Sequence, residues 1–168
     1  MDRYNERCVK GKMSGMDIFL FGGAIAILVA AIICALFVDL FLGFLIALIF
    51  IPAIIYTKDL LKVEYEYILT NGDVDIAKVY NNKRRRESLA IHEDSITKLD
   101  YGDSERTKND KDIGTDIKWF NYCGKEIEGR EVAVYFELNS KKCVALLDLD
   151  DKCIDHMKEV LKNRSEIK

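Results

Sequence analysis

An apolar stretch from Ile18 to Tyr56 constrains the fold of this chain most strongly, because Asp39 is its only formally charged residue. As one straight helix it would extend roughly 58 Å, nearly twice the hydrocarbon thickness of a bilayer at about 30 Å. Two helices joined near Asp39 fit that thickness better. The stretch therefore predicts a membrane helical hairpin, with spans from Ile18 to Val38 and from Leu40 to Tyr56.

The second span is short, and it gains length if it continues through Leu61 while Lys58 and Lys62 reach toward the membrane surface. On this basis we divide the chain into three segments. Residues 1–17 are expected to form a cytoplasmic leader and residues 18–61 the two-span hairpin. Residues 62–168 are the right size for one soluble domain with a single core.

Basic residues flank the apolar stretch on both sides. They are Arg3, Arg7, Lys10 and Lys12 before the first span, and Lys58 and Lys62 after the second. Because positive residues favour the cytoplasmic side, we expect the hairpin in the cell membrane, with both termini in the cytoplasm. The five cysteines have no paired spacing, which suits free thiols in a reducing compartment.

Small side chains recur every fourth residue in the first span and form one narrow stripe. They are Gly22, Ala26, Ala30 and Cys34, and the second span offers Gly43 and Ala47. Stripes of this kind let two membrane helices approach closely. We expect these residues to pack within the hairpin, and contact with a helix of another chain is the alternative.

After the hairpin, apolar and polar residues alternate, which is the period of half-buried strands. Four strands are predicted: Val63 to Thr70, Val74 to Tyr80, about Arg84 to Ile91 and about Ser95 to Tyr101. Asn71-Gly72 is a strong signal for a tight turn between the first two strands. This part of the chain is expected to form an antiparallel meander.

The segment from Gly102 to Thr115 is polar and charged, and we expect it to form a long mobile loop. Three further strands are predicted at about Asp116 to Cys123, Glu131 to Leu138 and Lys142 to Leu149. A helix follows, because Asp150 or Asp151 can cap it. Its apolar stripe, which faces the sheet, comprises Ile154, Met157, Val160 and Leu161.

About seven antiparallel strands followed by one C-terminal helix resemble a pleckstrin-homology-like (PH-like) barrel. The strand Tyr67-Ile-Leu-Thr with its Asn71-Gly72 turn, the basic Lys83-Arg-Arg-Arg segment, and Leu89 to Ile96 are similar to the opening of bacterial membrane-associated PH domains. With the hairpin, the whole chain resembles a family of small uncharacterised bacterial membrane proteins. The resemblance implies a membrane α-helical hairpin beside a mainly-β PH-like barrel, and it brings no catalytic residues.

Positive charge is most concentrated at Lys83, Arg84, Arg85 and Arg86, joined by Lys78. Beneath an anionic leaflet, each exposed basic side chain adds about 1 kcal/mol of attraction, so contact with lipid headgroups is one interpretation. The other is a solubilising strand whose charges pair with neighbouring acids. In an extended segment Arg85 points opposite to Arg84 and Arg86, and the first turn of the domain is acidic. Specific inositide recognition is therefore not expected.

Composition and motifs argue against several other functions. A net charge of −3 does not favour a nucleic-acid-binding protein. The aspartates between Asp148 and Asp155 lack the glycine and terminal glutamate of a calcium loop, and Cys153 and His156 lack zinc-site spacing. No metal or cofactor is therefore expected. The chain also lacks a glycine-rich phosphate loop and the common nucleophile motifs, so we do not expect an enzyme.

Trp119 and Phe120 are expected on opposite faces of one strand, so one ring can serve as an exposed binding anchor. The leading hypothesis is a membrane-anchored, non-enzymatic interaction or scaffold module for a membrane or cytoplasmic protein. Recognition of anionic lipid headgroups is the alternative. An enzyme would require a pocket that brings His92 or His156 against a carboxylate or a thiol.

Overall fold

The computed structural model describes residues 3–12, 15–113, 116–124 and 126–167. The strands in these ranges are β1 (Tyr4–Lys10), β2 (Val63–Thr70), β3 (Asp73–Tyr80), β4 (Arg84–Ile91), β5 (Ile96–Tyr101), β6 (Lys118–Asn121), β7 (Arg130–Leu138) and β8 (Lys141–Leu149). The α-helices are α1 (Gly15–Phe37), α2 (Leu40–Leu60), α3 (Glu105–Asp112) and α4 (Asp151–Leu161). Single turns of 3-10 helix lie at Glu93–Ser95 and Lys162–Arg164.

These elements form two compact units. The helical unit contains α1, α2 and residues 80–84, and the β unit contains β1, residues 64–79 and the chain from Arg85 onward. The predicted membrane hairpin and mainly-β domain are therefore both present. The predicted division of the chain differs at its start, because β1 belongs to the β unit.

The segment predicted as a leader is a strand of the sheet. β1 pairs antiparallel with β2 over its whole length, from Tyr4 opposite Thr70 to Lys10 opposite Glu64. Its inward side chains are Asn5, Arg7 and Val9, and only Val9 is apolar and buried. Hydrophobic alternation could not reveal such a strand, since two of its three inward residues are polar.

The strands of the β unit form two sheets, in the orders β1-β2-β3-β4 and β5-β7-β8-β6. β5 and β8 flank β7 antiparallel, whereas β6 runs parallel to β8. The described chain thus has eight strands rather than about seven, and one pairing is parallel. The architecture of two sheets with a C-terminal helix confirms the predicted fold class.

Tight turns between strands use asparagine where the backbone is left-handed. Asn71 has φ 56°, and Asn81 and Asn82 have φ 48° and 55°, a conformation that asparagine tolerates better than most residues. A Cβ on Gly72 would overlap the side chain of Glu93. The Asn71-Gly72 signal therefore marks the β2–β3 turn, as predicted.

The core of the β unit comes from alternate residues of both sheets and from α4. Its fully buried side chains include Tyr67, Leu69, Val74, Ile76, Leu99, Val132, Leu147 and Met157. α4 begins where the sequence indicates, because the Asp150 carboxylate accepts the Cys153 amide at its N-terminus. Its apolar stripe buries Ile154, Met157 and Leu161.

The helical unit is an antiparallel pair broken at Val38 and Asp39. The Asp39 carboxylate caps α2 by accepting the Leu42 amide at 2.8 Å, so the charge ends the apolar run by starting a new helix. Both helices are long and apolar enough to cross a membrane, over Ile18–Phe37 and Leu40–Asp59. The hairpin is thus a pair of candidate membrane spans.

The segment predicted as a mobile loop contains α3. Its sequence, ERTKNDKD, has no apolar stripe, and for that reason hydrophobic periodicity misses it. The helix begins at Ser104, whose hydroxyl oxygen accepts the Thr107 amide. Thr107 is the buried residue of the helix. Polar contacts rather than an apolar face hold this helix on the sheet.

The insertion of the hairpin between paired strands leads to a direct test. Because Lys10 and Glu64 are register partners, a two-residue Asn-Gly turn can replace residues 11–63. We expect this hairpin-replaced protein to be soluble and to unfold cooperatively in urea, as followed by Trp119 fluorescence. The fragment 62–168, which lacks β1, should be less stable by at least about 3 kcal/mol, because Asp148 loses its buried partner Arg7. Equal stability of the two proteins would contradict the assignment of β1 to the domain.

Candidate functional site

The predicted basic cluster does not form one surface. Lys78 is half-buried on β3, and its Nζ lies 5.9 Å from the ring centroids of both Tyr65 and Tyr122. These two rings pack edge to face. A lysine ammonium above aromatic faces is stabilised there by the ring quadrupoles. Lys78 is therefore packed against aromatic side chains of its own domain.

Two members of the cluster belong to the helical unit. The Arg84 guanidinium lies 4.9 Å from the ring centroid of Tyr56 on α2. The adjacent turn binds the same helix end, because the Asn81 amide donates to the Lys62 carbonyl at 2.7 Å and its Nδ2 donates to Asp59 at 2.6 Å. Lys83 is exposed in this turn. Arg84 thus contributes to the attachment of the β3–β4 turn to α2.

The remaining arginines lie on β4 and differ in their contacts. Arg85 Nε is 3.0 Å from Glu66 Oε2, and the glutamate side chain is only 14% exposed. Burial, reinforced by Glu6, raises the pKa of Glu66, while Arg85 acts in the opposite direction. Arg86 is exposed and has no ion pair within the described residues. Within the β unit, Arg86 is the basic side chain of this group left open to a ligand.

Glu6, Cys8 and Glu66 bring one oxygen or sulfur atom each within 4.8 Å of one another. Such a group could in principle hold a metal ion. Burial and the two carboxylates raise the pKa of the Cys8 thiol. The Arg85 guanidinium already supplies positive charge beside Glu66. We therefore interpret these residues as a surface cluster whose negative charge is partly neutralised by Arg85.

The hairpin contact lies on a different face of α1 from the predicted stripe. Gly43 is buried against α1, since a Cβ there would overlap Ala35 and come within 2.8 Å of the Ala31 carbonyl oxygen. Gly22, Ala26 and Ala30 are exposed, whereas Cys34 and Ala47 are half-buried. Each step of four residues overshoots a full helical turn by about 40°. The predicted stripe therefore winds around α1 and leaves the face that contacts α2.

A groove of about 700 Å³ crosses the outer face of the β5-β7-β8-β6 sheet beside α3. Trp119 of β6 and Leu146 of β8 line its apolar part, and Lys108 and Lys111 line it from α3. The Trp119 ring is half-buried, while Phe120 packs 6.2 Å from the Phe136 ring. The two neighbouring rings thus have different contacts, and Trp119 faces this cleft. We call this cleft the Trp119 groove.

The position of α3 defines one wall of the Trp119 groove. The Tyr135 hydroxyl donates to Thr107 at 3.2 Å and lies 3.0 Å from Asp110, which fixes the helix over the sheet. Burial raises the pKa of Tyr135 to about 12, so its hydroxyl remains a donor at neutral pH. Beneath it, a small apolar cluster comprises Cys123, Ala133, Tyr135, Val144 and Leu146, with Ile117 and Trp119 packed against it.

Comparison with known protein families identifies one family with which the chain agrees over nearly its whole length. Residues 1–165 match the model of a family described as "Bacterial PH-like domain (DUF6106)". The chain belongs to this family. The match includes β1 and the hairpin as well as the rest of the β unit.

No curated protein and no solved structure matches the chain. PH-like domains are generally non-catalytic and typically bind lipids or proteins, which suggests an interaction module. The family match therefore carries the fold and this general class of function. The partner that such a domain binds depends on its surface residues rather than on its fold.

The PH-like domain contains a buried ion pair that sequence reasoning did not find. Arg7 of β1 lies 3.1 Å from Asp148 of β8, and the Asp148 side chain is fully buried. Asp148 also accepts the backbone amides of Glu128 and Gly129, at 3.0 and 2.8 Å. Arg7 lies in the segment predicted as a leader, and no spacing rule links it to a residue so far along the chain.

The two histidines of the PH-like domain have separate surroundings. His156 is 2% exposed, with Nδ1 2.9 Å from the Asn5 amide nitrogen and Nε2 2.5 Å from the Asn71 carbonyl oxygen. Because an amide nitrogen only donates, Nδ1 accepts and the Nε2 proton is donated to Asn71. His92 is 79% exposed, 3.7 Å from Asp73. His156 thus joins β1 to α4 structurally, and His92 lies on open surface.

The Arg7–Asp148 pair should dominate the attachment of β1. Replacing Arg7 with Gln leaves a buried carboxylate without its cation, which typically costs about 3–5 kcal/mol. We expect a loss of this size in the urea unfolding free energy of the hairpin-replaced protein. Arg106→Gln removes an exposed pair with Glu166 and should cost no more than about 1 kcal/mol. Similar small losses in both variants would disprove the structural role of Arg7.

Proposed function

We propose that this protein is a membrane-anchored, non-enzymatic interaction module. In this proposal the hairpin spans the cell membrane, and the PH-like domain lies at the cytoplasmic face, where it binds a membrane or cytoplasmic protein. The observation that carries the proposal is the insertion of two apolar helices between the paired strands β1 and β2. Each end of the hairpin is therefore connected to a strand of the domain, β1 before it and β2 after it.

The strand pairing limits the membrane topology. β1 ends at Lys10 and β2 begins at Val63, and the register partners Lys10 and Glu64 lie on adjacent strands, about 5 Å apart. One folded domain cannot occupy both sides of a bilayer. Both ends of the hairpin must therefore lie on the side of the domain. Lys10 and Lys12 before α1, with Lys58 and Lys62 around the end of α2, favour the cytoplasmic side.

Anchoring also explains how a modest binding surface can be sufficient. A domain held at the membrane meets membrane-bound partners at a raised effective concentration, so strong intrinsic affinity is not required. The Trp119 groove provides an aromatic side chain of the kind that dominates protein interfaces. A scaffold role follows from these two features together.

Recognition of anionic lipids through the basic cluster has weaker support. Lys78 lies over two tyrosine rings, Arg84 over Tyr56, and Arg85 beside Glu66. Each of these contacts takes a cation away from a common lipid-facing surface. Single exposed charges give only about 1 kcal/mol each, which is too little for stable membrane recognition.

Thiol labelling can test the topology in the full chain. Cys8 is exposed, Cys34 is half-buried on α1 within the proposed span, where a water-soluble reagent does not reach it, and Cys123, Cys143 and Cys153 are buried. Val38 at the hairpin turn is 76% exposed. With a membrane-impermeant maleimide, we expect the wild-type protein to be labelled only after cell permeabilisation, and Val38→Cys to be labelled in intact cells.

Cys8→Ser serves as the control and should abolish labelling of the wild-type background. Labelling of Cys8 in intact cells would reverse the proposed orientation. Labelling of both positions only after permeabilisation would show that the hairpin does not reach the outer surface.

Liposome flotation can test the lipid alternative with the hairpin-replaced protein. This protein lacks Tyr56, but Lys78 keeps its two tyrosine rings and Arg85 keeps Glu66. We therefore expect no difference between neutral and anionic vesicles at about 0.15 M salt, where charges are screened beyond about 8 Å. Arg84→Glu combined with Arg86→Glu should leave flotation unchanged. Salt-sensitive binding to anionic vesicles that this double variant abolishes would favour lipid recognition instead.

A further inference from the structure

We propose that the Trp119 groove binds an acidic, amphipathic segment of a partner protein, with an apolar side chain on the indole and carboxylates beside α3. This inference rests on the proposed function and names the site and the partner chemistry. It depends on three features of the groove: its apolar floor, its unpaired lysines and the fixed position of its walls.

The floor of the groove offers apolar surface to a ligand. Trp119 is half-buried, Leu146 is 5% exposed, and Ile127 at the rim is 51% exposed. A half-buried indole with an exposed aliphatic neighbour leaves space for one further apolar side chain. Tryptophan in a concave site is a frequent anchor of protein interfaces, because a large area is desolvated at little entropic cost.

The charge beside this floor is basic. Lys108 and Lys111 lie three residues apart on the groove side of α3, and they are exposed without an ion pair in the described part of the chain. Residues so spaced are neighbours on a helix surface. Arg106 and Asp110 line a second cleft, on the other side of α3, where Arg106 pairs with Glu166. α3 thus presents its unpaired lysines to the Trp119 groove.

The groove is also lined by one further basic group, Arg130, and by two acidic groups, Asp103 and Glu131. Arg130 stacks 5.8 Å from the Tyr101 ring, and its Nη1 donates to the Tyr101 hydroxyl at 3.1 Å. The Glu131 side chain packs where a Cβ on Gly102 would otherwise lie. Asp103 is exposed at the rim. Of the three basic groups, Arg130 is thus held by Tyr101, and Lys108 and Lys111 are the ones that a ligand's carboxylates can pair with.

The walls are held before any ligand arrives. Asp148 fixes the Gly129 amide at 2.8 Å, and Gly102 donates to the Glu131 carbonyl at 2.8 Å. On the other wall, Tyr135 holds α3 through Thr107. Preformed walls reduce the entropic cost of binding, which favours a groove for an extended or helical protein segment.

Trp119 is the only tryptophan of the chain, so its fluorescence reports directly on this groove. The full chain in neutral-lipid nanodiscs is titrated with the peptide acetyl-Glu-Glu-Leu-Phe-Glu-Glu-amide, and with the same peptide carrying Lys in place of Glu. We expect a saturable change in Trp119 emission with the acidic peptide. The basic peptide should bind at least about tenfold more weakly.

A matched pair of variants separates groove charge from overall charge. Lys108→Glu with Lys111→Glu should weaken the acidic peptide at least about tenfold. Lys152→Glu with Lys158→Glu makes the same change in net charge on α4, away from the groove, and should leave the affinity within about twofold. Equal weakening by both pairs would overturn the groove assignment in favour of long-range attraction.

Other outcomes distinguish this inference from the function on which it rests. No emission change with either peptide, in a protein whose thiol labelling gives the proposed topology, overturns the groove and leaves the anchored module standing. An emission change on transfer to anionic nanodiscs, lost in the Lys108 and Lys111 variant, assigns the groove to lipid and overturns the peptide proposal.

Discussion

The pairing of β1 with β2 is the constraint on which the rest of this molecule depends. It places Lys10 opposite Glu64 and so returns the chain to the same sheet after two long apolar helices. The same strand binds β8 through Arg7 and Asp148, and α4 through Asn5 and His156. β1 therefore links the first sheet to the second sheet and to the C-terminal helix. Val9 is its one buried apolar residue, and the contacts that join it to β8 and α4 are polar.

Polar groups also shape the candidate binding surface. Asp148 accepts both the Arg7 guanidinium and the Gly129 amide, so the anchor of β1 and a wall of the Trp119 groove share one buried carboxylate. On the opposite wall, the Tyr135 hydroxyl holds a helix that has no apolar face. Unlike an apolar core, which tolerates many substitutions of similar volume, such contacts depend on particular donors and acceptors. We expect groove geometry to be more sensitive to single substitutions than the core of the β unit is to apolar substitutions of similar volume.

Elements that bury an apolar face could be predicted from the sequence. The hairpin follows from the length of its apolar run, and β2, β3, β5, β7, β8 and α4 follow from hydrophobic periodicity, with turns marked at Asn71 and Asp39. β4 buries only Ile91, and the turn at Asn81 and Asn82 indicates where it begins. β1 and α3 could not be predicted in this way, because polar side chains hold them in place. The parallel pairing of β6 leaves no signal in four residues. The basic cluster was visible in sequence, but its division among aromatic and acidic neighbours depends on contacts between distant strands. For the candidate site, the sequence indicated an aromatic anchor at either Trp119 or Phe120, and the choice of Trp119 and of its lysine neighbours required the position of α3.

The place of the hairpin within the sheet has a consequence for how the protein is made. A ribosome synthesises β1 first, then both apolar helices, and only afterwards β2 and the remaining strands. Arg7 must therefore wait for Asp148, 141 residues later, before its charge is neutralised. Contacts so distant in sequence form late and slowly. Insertion of the helices into a bilayer would thus precede closure of the β unit, and β1, although able to pair with β2 as soon as β2 emerges, would carry an unneutralised Arg7 until β8 is made.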